Sequence, residues 1–234
     1  MPQSPPRLAR SGARLVRSGS ARALIRRARV QRHLDRASGN VALTFDDGPD
    51  PEHTPAVLDE LGRLGIVATF FLVGHRATAH PGIVRRIIDE GHAVGSHSNS
   101  HPEPWGIPMP DLVREYRRGR VQVERAARRP VPLFRPPKGY VDGRGAAAML
   151  AARLRPWLWT IDPHDWVPGV RPAEILAGLA DLGSGDVVLL HDAIQGPLDP
   201  SALDRSATVA ALDAVGALAR QRQLRFCTLA GARR

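Results

Sequence analysis

The 234 residues suffice for one α/β domain with a substantial core. Hydrophobic residues at 43% and charged residues at 24% are ordinary for a water-soluble globular chain, which excludes a disordered or membrane-embedded one. A single cysteine, Cys227, excludes an intramolecular disulfide and a thiolate-rich zinc site.

The net charge of +10 is concentrated at the start of the chain. Residues 1–39 hold ten arginines and one acid, Asp35, leaving 23 basic against 22 acidic residues in the remainder. The body is therefore balanced and offers no specific nucleic-acid surface. Lys138 is the one lysine among 33 basic residues, a bias that inflates the apparent basicity. Residues 1–39 are expected to be a flexible arm separate from the domain at 40–234. The thinly spaced Leu24, Ile25, Val30 and Leu34 also suit weak contact with an anionic membrane. The arm has no apolar run that would serve as an export signal or a membrane span. A cytoplasmic or membrane-peripheral monomer is expected.

From Val41 onward, short apolar runs alternate with longer helical patterns. Strands are expected at 41–45, 66–73, 93–96, 131–134, 156–161, 186–190 and 225–229. Their continuous apolar character is that of parallel strands buried on both faces. Helices are expected at 54–64, 81–90, 109–128, 144–154, 172–182 and 206–222. Thr54 with Pro55 marks one helix start, and Gly65 and Gly91 mark stops. The charged stretch from Arg114 through Glu115 to Arg125 is expected to be a solvated helix face. Seven strands with crossover helices make a βα repeat that either stays open or closes into a barrel, with functional groups at the C-terminal strand ends in both cases.

Five polar groups fall just beyond those predicted strand ends. The first, Thr44-Phe45-Asp46-Asp47-Gly48-Pro49, sets two carboxylates at the end of a buried strand, costly unless a cation neutralises one. The second, His97-Ser98-Asn99-Ser100-His101, spaces two histidines to share a metal from one helical turn. Asp47, His97 and His101 together supply one carboxylate and two imidazoles, with positions open for water. The third, Arg135-Pro136-Pro137-Lys138-Gly139-Tyr140, combines an arginine able to orient a carboxylate with a rigid loop. The fourth, Asp162-Pro163-His164-Asp165-Trp166, and the fifth, Leu189-Leu190-His191-Asp192, supply an acid–base histidine, His191, and a carboxylate to orient it, Asp165.

In order and spacing, these groups resemble the five motifs of the polysaccharide deacetylase family with the NodB-homology domain, carbohydrate esterase family 4. The resemblance runs from about residue 40 to residue 230. It implies an α/β fold, a distorted (β/α)7 barrel of parallel strands, holding a divalent metal, usually zinc. It further implies hydrolysis of an acetyl group on a carbohydrate, here an N-acetylated amino-sugar oligomer or polymer. In that resemblance Asp46 matches the general base and Asp47, His97 and His101 the metal ligands. Arg135 matches the arginine that holds the base, Asp165 the carboxylate that tunes the catalytic histidine, and His191 that histidine. Trp166 and Leu189 match positions lining the groove and acetyl pocket, and the Tyr140 N–H matches the oxyanion donor. Lys138 stands where an aromatic residue is expected, and suggests contact with an acidic group on the substrate. Trp105, in the insert after His101, is a candidate stacking surface.

Rival readings are hydrolysis of a small non-polymeric amide, a glycosidase built on two carboxylates, a non-haem iron oxygenase, and a non-catalytic carbohydrate-binding protein. The first keeps the whole constellation; a glycosidase leaves the two histidines without a role.

Overall fold

The computed structural model describes residues 19–196 and 199–231. Its elements run α1 Gly19–Ala28, β1 Asn40–Asp46, α2 His53–Leu64, β2 Thr69–Leu72, α3 Gly74–Ala79, α4 Pro81–Asp89 and β3 Ala93–Ser96. They continue with α5 Met109–Ala127, β4 Leu133–Phe134, α6 Gly143–Ala151, β5 Arg155–Pro156, α7 Pro172–Ala177, β6 Val187–His191, α8 Ser206–Gln221 and β7 Arg225–Phe226. All strand pairings are parallel, in the order β5-β4-β3-β2-β1-β6, with β7 paired to β1. This is the expected distorted (β/α)7 barrel. Among the described residues, no helix is long and apolar enough to cross a membrane.

The distortion sits where the sequence reading expected regular strands. The run 156–161 is not one strand. Its start pairs with β4, then Gln31 bridges Trp157, and its end reaches β6 through the Ile161–Val188 bridge. Pro156 has no N–H to offer a ladder, which shortens the strand. The expected strand at 225–229 is likewise reduced to two residues. It lies beside the first half of β1, below the point where β2 begins opposite Thr44.

Side-chain alternation along the strands assigns one set to the helices and one to the barrel interior. Val41, Leu43 and Phe45 of β1, Phe70 and Leu72 of β2, and Val188 and Leu190 of β6 join the large core shared with Val57, Leu61, Ile87, Leu212 and Val215 of the helices. The opposite residues Ala42, Phe71, Leu133, Trp157 and Val187 pack together with Leu34 and Leu229 in the interior. Continuing that inward phase to the C-terminal ends reaches Asp46, His97, Arg135 and His191. The period of two therefore carries the functional side chains to one mouth. Asp46 pairs in register with both Phe71 of β2 and His191 of β6.

The expected flexible arm over 1–39 is corrected in its second half. From Gly19 the chain forms α1, which buries Ala21 and Ala28 and lies on α6. Leu24, Ile25 and Val30 join the cluster of Met149, Leu158 and Phe134. The apolar residues read as membrane contacts are thus spent on the domain, while Arg22, Arg26 and Arg27 face outward. The Leu34 N–H donates to the Gly185 carbonyl, fixing the segment just before β1. Residues 1–18 lie outside the described residues. A chain starting at residue 40 should lose several degrees of Tm relative to one starting at residue 19. Leu34 alone represents about 1.5–3 kcal/mol of burial. Equal melting curves would return α1 to the status of a dispensable arm.

Candidate metal and acid–base site

β1 ends in two carboxylates facing different partners. Asp47 has φ of 73°. That turn brings its Oδ2 to accept the Gln195 N–H at 2.9 Å. Its Oδ1 is buried, lacks a hydrogen-bond partner among the described residues, and lies 3.5 Å from Nε2 of both His97 and His101. A buried carboxylate oxygen left this way is costly unless a cation sits against it. Behind the turn, Gly48 leaves room for the buried Asp192 carboxyl, whose Oδ2 would lie 2.1 Å from a Cβ at that position. Burial pushes Asp192 up to about 7, opposed by the Thr54 hydroxyl donating to it at 2.5 Å.

The two histidines do not stand on a helical turn, contrary to the sequence expectation. Residues 97–101 form a bent loop in which Ser98 and His101 have φ of 66° and 56°. Glu115 of α5 compensates for the missing helix. Its carboxylate accepts the Asn99 N–H at 3.0 Å, the Ser100 N–H at 2.6 Å and the Ser100 hydroxyl at 2.9 Å. The Ser98 hydroxyl accepts the His101 N–H at 3.0 Å. Helix α5 reaches the loop because residue 119 is glycine; a Cβ there would stand 2.2 Å from the Ser98 carbonyl carbon. Glu115, read from sequence as part of a solvated face, is instead the fastener of the loop.

His97 Nδ1 lies 2.7 Å from the Arg135 carbonyl. A carbonyl only accepts, so Nδ1 carries the proton and Nε2 offers its lone pair toward Asp47. Burial, reinforced by neighbouring His101, pushes His97 down to about 3, which keeps the ring neutral. Ligand atoms of Asp47, His97 and His101 all lie within 4.8 Å of one another. One carboxylate and two imidazoles, with an orphaned oxygen at their centre, fit a divalent cation of the zinc type.

Arg135 is fully buried and reaches across the mouth. Its Nη1 donates to Asp46 Oδ1 at 2.8 Å and to the Thr44 hydroxyl at 2.7 Å. Its Nε and Nη2 donate to the carbonyls of Trp157 and Leu158 at 3.3 and 3.1 Å. The guanidinium carbon lies 4.3 Å from the centre of the Phe71 ring. Burial raises the Asp46 carboxyl above the usual carboxylate range, while Arg135 and then His191 pull it back. A carboxyl whose proton affinity is raised in this way suits a group that takes up a proton.

His191 Nδ1 lies 2.8 Å from Asp165 Oδ1, and the His191 N–H donates to Asp165 Oδ2 at 2.8 Å. Burial disfavours the imidazolium, but Asp165, followed by Asp47 and Asp46, outweighs it and raises His191 to about 9. Thr208 and Arg205, absent from every sequence motif, also bind Asp165. Their signal is purely tertiary, since they lie 43 and 40 residues further along the chain.

The remaining predicted residues have their own contacts. Leu189 shares the inward phase of β6 with His191 and is buried. Trp166 is 36% exposed, stacks on His164 and donates Nε1–H to Asp162 at 3.3 Å. Lys138 is not free in the groove; it pairs with Glu103 and stands 5.8 Å from the Trp105 ring centre. Trp105 is 55% exposed, with its ring 6.1 Å from that of Tyr140. The Tyr140 N–H already donates to the Pro137 carbonyl at 3.1 Å, so this conformation does not present it as a free oxyanion donor.

The family model described as polysaccharide deacetylase matches residues 34–157. A peptidoglycan-N-acetylglucosamine deacetylase of Bacillus cereus is 36% identical over 192 residues, covering 81% of this chain and 85% of the relative. A chitooligosaccharide deacetylase of Sinorhizobium fredii is 36% identical over 159 residues, covering 65% of this chain and 72% of the relative. Among solved structures, a peptidoglycan N-acetylglucosamine deacetylase in complex with 4-naphthalen-1-yl-N-oxidanyl-benzamide superposes with a TM-score of 0.79 at 30% identity, covering 90% of this chain and 95% of that one.

The loop fastening yields a direct test. Glu115→Ala should weaken zinc binding by about 10–100-fold, the usual effect of removing a group that orients ligands without touching the metal. Competition with a chromophoric chelator measures it. Unchanged affinity would mean that the loop holds its shape without α5.

Proposed function

The chain belongs to the polysaccharide deacetylase family, and on that premise we propose that it is a metal-dependent hydrolase removing N-acetyl groups from an amino-sugar oligomer or polymer. The observation that carries the reading is the orphaned Asp47 Oδ1 facing two imidazole Nε2 atoms, beside an Asp46 held by Arg135. The substrate class is supported by the relatives, which act on peptidoglycan N-acetylglucosamine and on chitooligosaccharides by their names.

Asp47, His97 and His101 would hold the divalent cation, zinc being the simplest match to the donor set. Bound there, it supplies Lewis acidity to the attacking water and to the acetyl carbonyl. Asp46 takes the proton of the water as its oxygen joins the carbonyl carbon. Arg135 fixes the orientation of that carboxylate and, by its charge, opposes the upward push of burial on it. His191 is anchored at Nδ1 by Asp165, leaving Nε2 to give a proton to the departing sugar nitrogen as the C–N bond breaks. Acetate and a free amine result. In this reading Leu189 borders the acetyl group and Trp166 the sugar. Contact of Lys138 with an acidic substrate would require its exposed pair with Glu103 to open, a pair worth about 0–1 kcal/mol.

Acetate release from N-acetylglucosamine oligomers tests the reading. Zinc-loaded protein should release acetate, a chelator should stop it, and added zinc should restore it. Asp46→Asn should retain its metal and lose about 10²–10⁴-fold in rate, the range for a general base. Turnover by metal-free protein, or an active Asp46→Asn, would sink the mechanism. Silence of the zinc-loaded wild type would sink the oligomer as substrate.

The acid has its own signature in pH. His191 works protonated, and Asp165 raises its pKa, so the alkaline limb of the rate profile lies above the ordinary histidine value near 6.5. Asp165→Asn removes that carboxylate and should move the limb to lower pH while reducing kcat. A limb that stays in place would assign the acid role to another group.

A further inference from the structure

Asp165 stands in the irregular connection between β5 and α7, yet it is 0% exposed and makes no loose contact. Its Oδ1 faces His191 Nδ1, and its Oδ2 accepts from the His191 N–H at 2.8 Å and from the Thr208 hydroxyl at 2.9 Å. Its main-chain carbonyl accepts from Arg205 Nη1 at 2.6 Å, and the other arm of Arg205 donates to the Ala202 carbonyl. Thr208 and Arg205 are 1% and 2% exposed. Both belong to the start of α8: Arg205 immediately precedes it and Thr208 is its third residue. There the helix presents its positive end, which favours a nearby carboxylate.

We propose that Thr208 and Arg205 are positioning residues that lock Asp165 against His191, so that α8 serves as the scaffold of the proton donor. The inference rests on the acid role given to His191 above. A carboxylate with one oxygen on the ring and the other held only by a main-chain N–H can rotate about its χ2. The Thr208 hydroxyl removes that freedom at Oδ2, and Arg205 pins the backbone from which the side chain departs. The charged groups acting on His191 come from several places: Asp46 from the end of β1, Asp47 from the turn after it, and Asp165 from the connection before α7. Arg205 acts on Asp165 and Asp47 from the α8 side. Of these, Arg205 alone is cationic, and it touches the pair through Asp165.

The test uses the zinc-loaded full chain with Thr208→Val, which keeps the shape and deletes the donor, and Thr208→Ser, which restores it. Thr208→Val should lower kcat about tenfold, the scale of one hydrogen bond to a charged group, with KM unchanged. Thr208→Ser should recover most of that loss. The His191 Nδ1 proton, read as a low-field NMR resonance, should exchange faster with water in the valine variant and return to normal in the serine variant. Arg205→Lys, which replaces the two forked donor arms by a single nitrogen, should give the same pair of changes. A valine variant with unchanged kcat and resonance overturns the proposal. So does a fall in kcat with an unmoved resonance, or a serine variant as impaired as the valine one. The resonance needs no turnover. If the wild type releases no acetate, the deacetylase reading fails while the resonance still decides this one.

Discussion

The guanidinium of Arg135 is the interaction on which the site and the barrel both depend. A fully buried cation is expensive unless its donors and its charge are satisfied. Here Asp46 supplies the charge, and the Thr44 hydroxyl and two carbonyls of the broken strand after β5 supply the remaining acceptors. The Phe71 ring adds a cation–π contact, with its centre 4.3 Å from the guanidinium carbon. One side chain thus joins β4, β1, β2 and the stretch that bridges to β6. It also binds where the sheet ladder is interrupted and two carbonyls need donors. Asp46 and the interrupted seam of the barrel share one counter-ion.

Much of this was legible in the sequence because continuous apolar runs marked parallel strands buried on both faces, and the polar groups fell at their C-terminal ends. The side-chain phase that turns Asp46, Arg135 and His191 inward became visible only in the fold. The pairing of His97 with His101 was expected for a partly wrong geometric reason. A spacing of four suggested a helical turn, whereas left-handed residues at Ser98 and His101 make the two rings converge. Backbone conformation of that kind is set by Glu115, 14 residues beyond His101, and a charge on an amphipathic helix gives no local hint of such a duty. Arg205 and Thr208 were illegible for the same reason. The residues that form the centre fall into short motifs, and the residues that hold them still come from distant helices.

The arm was misjudged because composition outweighed pattern. Arginine-rich segments read as solvated, yet Ala21, Leu24, Ile25 and Ala28 recur at helical spacing and meet α6. The exposed arginines ride on the outer face of that helix. Its basic charge is therefore displayed from a fixed platform on the domain.

The position of β7 carries a consequence for how the chain acquires its structure. The Arg225 N–H donates to the Gly39 carbonyl and the Cys227 N–H to the Val41 carbonyl, so the base of β1 is completed by residues almost 190 positions later. β1 also waits for β6, and α1 waits for α6. Pairings of such sequence separation carry a loop-closure cost that local contacts cannot offset. On a chain made from its N-terminus, β1 is synthesised well before β6 and β7, the strands that enclose it. Until they pair with it, its unpaired edges and apolar faces are open to other chains, which places the hazard of misassembly in the interval before α8 and β7 emerge.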